Sequence, residues 1–340
     1  MILVLSYDWY EQGTDPVVNW LIFNKAPFVK VTIQDFLNQS NNCRIDVNKG
    51  EIWINGIEYA SKINVIWFRR FEDDLRLGLK NEFPASQAAF ELKYEFKDLI
   101  EYFYKIFDNK VWMPRYDGIN LNKLETLFFA NKWNVKVPDT IICNNKTDLE
   151  SFYNKHNKAV IIKPIRHSGY FIDGEKTYSI YTNSVTEAFI KTIPDNFVAT
   201  LVQQKVKGLH EIRTFYMDGA FYSTAIWISK PNAHSDIKLN YNSKHINWFP
   251  YEFPKELCEQ YDSFFKKLNL NTCSFDVIKT VDGQYILLEI NSVGQFTAPG
   301  NRCNYNLDEK IASWLINKNE DEEKNKYIQK TRTREVAAHV

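Results

Sequence analysis

The chain has 340 residues, of which 44% are hydrophobic and 25% charged, and Lys+Arg and Asp+Glu both number 42, giving a formal net charge of zero. That length suggests two or three sub-domains around sizeable cores. The balanced charge removes the global electrostatic case for nucleic acid as a partner.

Residues 1–6 read as a buried parallel strand. DPVVNWLIFNK follows, with Val17, Val18, Leu21 and Ile22 on one helical face. FVKVTI (28–33) is a second strand, and 51–60 is a hairpin turning at Asn55-Gly56. INVIWFRR (63–70) is a third apolar strand, closed by two arginines, and a long amphipathic helix covers about 85–108. VWMP ends this N-terminal open α/β layer, residues 1–118.

A central unit, 119–200, begins with the helix NLNKLETLFFANKW, for which Asn120 is the expected N-cap. It continues through the strand VPDTIIC, the buried strand AVIIKPI (159–165) and a short helix at 184–193. A third unit, 201–318, carries the end of the strand ATLVQQKV, then a hairpin turning at Asp218-Gly219 and a helix at 255–267. It closes with the strands CSFDVIKT and QYILLEIN around Asp282-Gly283. Residues 319–340 read as a charged tail, a helix end followed by frayed residues. The fold class is therefore α/β with α+β elements.

No stretch approaches the roughly 20 apolar residues of a membrane span, and the short opening run meets Asp8 and Glu11 at once. Cys43, Cys143, Cys258, Cys273 and Cys303 show no C-x-x-C spacing. They fit reduced thiols of a cytoplasmic protein.

The last strand pair carries the strongest chemical signal. Residues two apart in a strand share a face, so Glu289 and Asn291 project together, and pairing through the Asp282-Gly283 turn brings Asp276 to that face. Two carboxylates and an amide oxygen suit Mg²⁺; the alternative is an ordinary solvated hairpin face. Lys163 interrupts a buried strand and needs an anion, either a phosphate or a structural salt-bridge partner. Lys123 alone is an ordinary helix lysine. Arg69 and Arg70, after a buried strand, are either a grip for acidic residues of a substrate or an exposed pair at a strand edge.

In order along the chain, a helix lysine, a strand lysine, the strand LVQQKV, an E-x-R hairpin (Glu211, Arg213) and D…E-x-N resemble the ATP-grasp superfamily. The opening MILVLSYDWYEQGTDPVVNWLIFNKAPFVKV, IWFRR and EINSVGQF resemble the peptide-modifying ligases that make graspetides, in particular maturases of the grasp-with-spasm type. The resemblance implies an ATP-grasp fold, with an N-terminal pre-ATP-grasp domain, a central domain and a C-terminal domain. It implies ATP and Mg²⁺ as cofactors and a ribosomal precursor peptide with a leader segment as partner. The leader would dock near the 184–193 helix and the 211–229 hairpin, and a homodimer is the family expectation.

By the same resemblance, Lys123 and Lys163 hold phosphates, Gln203 and Gln204 receive adenine, and Glu211 binds ribose. Arg213 faces the transferred phosphoryl group, while Asp276, Glu289 and Asn291 hold Mg²⁺. The implied reaction phosphorylates Asp or Glu side chains and closes ω-ester or ω-amide rings with Thr, Ser or Lys. Two alternatives stay open: a ligase joining an amino acid or amine to a protein or small acid, and a non-catalytic ATP- or peptide-binding scaffold. One feature departs from the family, whose Asp-x-Arg element falls here on Ile237 and Leu239. Asp236 and Lys238 stand one position away, so either the acceptor chemistry is altered or the loop has slipped in register and Lys238 replaces the arginine.

Overall fold

The opening run Ile2–Ser6 forms strand β1, every residue of it buried, in a computed structural model that describes residues 1–37, 42–71, 85–165, 170–173, 176–179, 182–228 and 246–337. The chain divides into two compact units. One comprises Met1–Ile119, Gln295–Gly300 and Asn306–Val340; the other comprises Asn120–Gly294 and Asn301–Tyr305.

In the first unit, β1 leads to helix α1 (Asp15–Phe23), which buries Val17, Val18 and Leu21. Ile22, expected on the same face, lies in the last turn and is exposed. Strand β2 (Phe28–Thr32) and helix α2 (Gln34–Leu37) come next. A small antiparallel sheet follows, made of β3 (Cys43–Asp46), β4 (Glu51–Ile54) and β5 (Ile57–Glu58). Its β4–β5 turn has Asn55 and Gly56 both at positive φ, 49° and 78°, as a tight two-residue hairpin requires. Strand β6 (Val65–Phe68), helix α3 (Ala85–Ile106) and strand β7 (Val111–Met113) complete a parallel sheet in the order β2-β1-β6-β7. Phe103, Tyr104 and Phe107 of α3 are buried: Phe103 stacks on Phe71 and meets Phe107 edge-on, while Tyr104 meets Phe68 and Trp112 edge-on and Phe71 tilted.

Among the described residues the second unit holds two larger antiparallel sheets and one two-stranded sheet. Helix α4 (Lys123–Lys132) starts two residues later than expected, because the Asn122 side chain, not that of Asn120, accepts the Leu124 N–H at 2.8 Å. Then come β8 (Thr140–Asn145), α5 (Lys146–Lys155), β9 (Val160–Lys163) and the β10–β11 hairpin (Tyr170–Asp173, Lys176–Ser179). β12 (Asn183–Ser184), α6 (Glu187–Thr192) and β13 (Asn196–Gln204) complete a sheet in the order β12-β9-β13-β8. Cys143, Val160 and Val202 of that sheet pack with Leu149, Phe152 and Tyr153 of α5 and Ile190 of α6. The boundary expected between residues 200 and 201 falls inside β13.

The other sheet runs β16-β15-β14-β17-β18. Its strands are β14 (His210–Met217), β15 (Ala220–Ile228), β16 (Ile246–Tyr251), β17 (Thr272–Lys279) and β18 (Tyr285–Asn291), with helix α7 (Lys255–Lys267) between β16 and β17. Ile212, Tyr216, Phe275, Val277, Leu287 and Ile290 pack on one face with Tyr261, Phe264 and Phe265 of α7 and Ala130 of α4. This burial of large apolar side chains leaves alternate residues of the same strands for the opposite face.

After β18 come α8 (Thr297–Cys303) and α9 (Leu307–Ala337). α9 belongs to the first unit, where Leu307, Ile311, Ala312 and Leu315 are buried and Trp20 donates to Asp308 at 3.1 Å. The charged tail holds the expected helix end, and the helix runs on to Ala337. Asn319 is buried within it and accepts a hydrogen bond from the Asn64 amide at 2.9 Å. All five cysteines are free, and among the described residues no helix is long and apolar enough to cross a membrane.

Candidate active site

Three adjacent strands bring charge into one row. On β14, β17 and β18 the cross-strand partners are Arg213, Asp276 and Glu289, with Arg213 opposite Asp276 and Asp276 opposite Glu289. Ser274 and Asn291 form the next pair on that face, and Phe275 and Ile290 between them turn into the core. Glu289 and Asn291 therefore share the face of Asp276, as the strand period demands. A register shift after Asp276 locally breaks the regular ladder there.

Within this row Arg213 Nη2 lies 3.5 Å from Asp276 Oδ2. Its Nε and Nη2 both donate to Glu211 Oε1 at 3.2 Å. Lys123 Nζ, from the first residue of α4, lies 3.2 Å from Glu289 Oε2. A cation at a helix N-terminus opposes the macrodipole, so its placement is explained by Glu289 rather than by its own helix. The described charges are three carboxylates against two cations in a mostly buried setting. Burial pushes the Glu211 carboxyl up to about 7, with Arg213 opposing and Asp276 and Glu289 adding to the rise. Burial works against the Arg213 charge too, but Asp276 and Glu211 outweigh it and hold its pKa above the usual arginine value.

Other sequence-predicted residues lie elsewhere. Lys163 closes β9 opposite Leu201, on the sheet face away from α5 and α6. The Gln203 side chain is buried and donates to Thr140 Oγ1 at 2.8 Å, so it is committed to the sheet. Gln204 accepts the Asp139 N–H at 3.4 Å and is only half-buried. Lys238, with Asp236, Ile237 and Leu239, lies outside the described residues, as does most of the segment between Lys163 and β10.

Arg69 belongs to the first unit and is no exposed edge residue. It is 2% exposed, with Nη2 3.6 Å from Glu11 Oε1 and its guanidinium over the Phe296 ring at 5.3 Å. Burial lowers its pKa to about 10 despite Glu11. Arg70 follows with left-handed backbone, φ 54°. Sequence reasoning missed two features of the charged sheet. Thr224 stands opposite Arg213, fully buried, with its hydroxyl 3.2 Å from Cys303 Sγ. Gly294 turns the chain after Asn291 at φ 71°, where a Cβ would come within 2.9 Å of the Phe215 ring. The tripeptide Ser-Val-Gly directly after E-x-N was the available signal for such a turn.

No protein-family model matches the sequence, and no curated protein is similar to it. Solved structures are. A RiPP-associated ATP-grasp ligase from Chryseobacterium gregarium, in complex with ADP and a leader and core peptide, gives a TM-score of 0.76 at 18% identity, covering 93% of this chain and 96% of that one. The chain has the ATP-grasp fold. The macrocyclase MdnC from Microcystis aeruginosa, bound with precursor peptide MdnA, gives a TM-score of 0.75 at 18% identity over 93% of this chain and 99% of that one. The ATP-grasp ligase PsnB, complexed with minimal precursor, Mg and ADP, gives 0.70 at 16% identity over 94% and 98%.

The residues of this ATP-grasp chain fit Mg²⁺ and a nucleotide. Among the described residues no three His, Cys, Asp or Glu side chains form a group that holds a metal by itself. Asp276 and Glu289 are a carboxylate pair with one amide oxygen nearby, the sparse donor set of an ion that fills its coordination with waters and phosphates. Arg213 and Lys123 add the donors that phosphate oxygens accept.

Proposed function

We propose that the chain is an ATP- and Mg²⁺-dependent ligase that activates side-chain carboxylates of a ribosomal precursor peptide and closes ω-ester or ω-amide rings, as in the graspetide maturases. The observation that carries this reading is the row Arg213–Asp276–Glu289 with Lys123 on its end, in a chain of which 93% aligns with a peptide-bound macrocyclase and a peptide-bound ATP-grasp ligase.

In this reading a peptide carboxylate oxygen attacks the γ-phosphorus of ATP, the bond to the β-phosphate oxygen breaks, and an acyl phosphate and ADP result. A Thr or Ser hydroxyl, or a Lys amine, then attacks the acyl carbon and phosphate leaves. Bound Mg²⁺ neutralises phosphate charge, with Asp276, Glu289 and Asn291 to hold it. Arg213 stabilises the transferred phosphoryl group through its fork of donors, Lys163 and Lys123 orient the phosphates, and Glu211 accepts from the ribose. Adenine rests at the end of β13, against Gln204 and the backbone that follows. Catalysis is then chiefly positioning and charge stabilisation.

The leader segment is assigned to α6 and the β14–β15 hairpin, and Arg70 and Lys238 to the acidic side chains of the core peptide. A single-turnover reaction tests the last assignment: Lys238→Ala should lower ring yield without weakening ATP binding, and an unchanged yield would remove Lys238. The proposal as a whole is tested by ADP release with a candidate precursor peptide, a small peptide rich in Thr and Asp or Glu. Release that needs both peptide and Mg²⁺ supports it, and release indifferent to the peptide counts against it.

A further inference from the structure

Both cations of the site rest on carboxylates that the proposed metal would use. Lys123 Nζ is 3.2 Å from Glu289 Oε2, and Arg213 Nη2 is 3.5 Å from Asp276 Oδ2. These are not loose surface pairs. The side chains are 15% and 30% exposed in the first and 14% and 18% in the second, so solvent and salt screen them only in part. A hard divalent ion sits about 2.0–2.1 Å from a carboxylate oxygen. An ammonium kept on the same carboxylate would then stand within a few ångströms of two positive charges, where repulsion is strong.

We infer that Lys123 and Arg213 act as removable counter-ions, occupying Glu289 and Asp276 until nucleotide phosphates draw them off, so that nucleotide and divalent cation load cooperatively. The inference rests on the ATP and Mg²⁺ reading above and adds an ordering device to it. Phosphate oxygens accept from lysine and arginine as well as carboxylates do. A polyphosphate therefore exchanges partners with the two cations and leaves the carboxylates to the metal. Each ligand removes an obstacle to the other. By linkage the nucleotide tightens the metal by the same factor as the metal tightens the nucleotide. The position of Lys123 supports exchange over a fixed strut: it is the first residue of α4, where the helix dipole disfavours a cation and favours an incoming phosphate.

The test titrates Mn²⁺ into the full chain, without nucleotide and with saturating ADP, and reads the bound ion by electron paramagnetic resonance. Wild-type protein should bind Mn²⁺ at least about tenfold more tightly with ADP. Lys123→Met should bind Mn²⁺ about tenfold more tightly than wild type in the absence of ADP and gain less when ADP is added. Lys123→Arg, which keeps the charge, should behave like wild type. Lys132→Met, on an exposed position of the same helix, should change nothing. Thermal unfolding checks that each variant is folded, and Lys123→Gln replaces Lys123→Met if the latter is not. A Lys123→Met protein with wild-type Mn²⁺ affinity in the absence of nucleotide overturns the counter-ion role. Failure of the underlying reading looks different: no Mn²⁺ bound even with ADP, and no response to Glu289→Gln.

Discussion

Asp276 and Glu289 stand directly opposite each other on neighbouring antiparallel strands, each with a cation beside it, Arg213 at 3.5 Å and Lys123 at 3.2 Å. Two carboxylates facing each other on adjacent strands repel unless something positive lies between or beside them. In the proposed enzyme that charge is the metal as well as the two side chains. Glu289→Gln or Asn291→Ala should therefore lower turnover by on the order of a hundredfold or more, while the unfolding midpoint stays near wild type. ADP release measured with peptide present is the readout, and wild-type rates from either variant would remove the metal assignment.

Lys163 ends β9 on the sheet face away from the α5 and α6 core. If it meets phosphate there, Lys163→Ala removes a charge-assisted hydrogen bond of roughly 1.5–3 kcal/mol. ATP affinity should then fall by about tenfold or more, with peptide affinity much less affected. Calorimetric titration with a non-hydrolysable ATP analogue checks this, and unchanged affinity would mark Lys163 as a structural ion-pair partner.

Glu211 makes a pH prediction. Burial raises its pKa from near 4.5 to about 7 in the folded chain. The stability linked to this group is full below about 4.5 and is lost as pH rises through about 7, because the unfolded chain gives up the proton more easily. Glu211→Gln removes that loss. Its stability relative to wild type should improve between pH 5 and pH 8, by on the order of 2 kcal/mol, even as nucleotide binding weakens. Urea unfolding at the two pH values is the measurement. A variant that loses ground to wild type on going to pH 8 would show that the contact with Arg213 outweighs the burial.

Arg69 sits in a buried ion pair. Glu11 holds it at 3.6 Å and also accepts from the Gly13 N–H and the Thr14 hydroxyl, at 2.9 and 2.8 Å. Truncating one member of a buried pair strands the other charge, so Arg69→Ala should destabilise the chain by about 3–5 kcal/mol. Gly13→Ala should also destabilise it, because a Cβ there would lie 2.5 Å from Arg69 Nη2. Arg70→Ala should leave stability nearly unchanged and act on peptide affinity alone. Chemical denaturation separates the two arginines.

Strong periodicity made much of this architecture legible. Residues 2–5 and Val65–Phe68 are unbroken apolar runs, and Asn55-Gly56, Asp218-Gly219 and Asp282-Gly283 each mark a hairpin that the structure contains. The same-face placement of Asp276, Glu289 and Asn291 followed from strand period and one turn. Helix α5 was missed although Asn145 caps it and Leu149, Phe152 and Tyr153 have helical spacing, because its remaining residues are polar and resemble a loop. The long course of α9 was hidden similarly. Its outer part is rich in charged and polar residues, and its membership in the first unit depends on contacts distant in sequence, such as Asn319 with Asn64. The Arg69–Glu11 pair was illegible for the same reason, since its partners are distant in sequence and no local pattern joins them. The Lys123–Glu289 contact also joins distant segments, and no local pattern announces it.

The ring-forming reaction is tested most directly by the mass of a candidate precursor peptide, small and rich in Thr and Asp or Glu, after incubation with the protein, ATP and Mg²⁺. The account predicts a loss of about 18 Da, one water, for each ring closed, with one ADP released per ring and neither change in Glu289→Gln. A peptide of unaltered mass, in a reaction where the protein is folded and binds both ATP and the peptide, would contradict it.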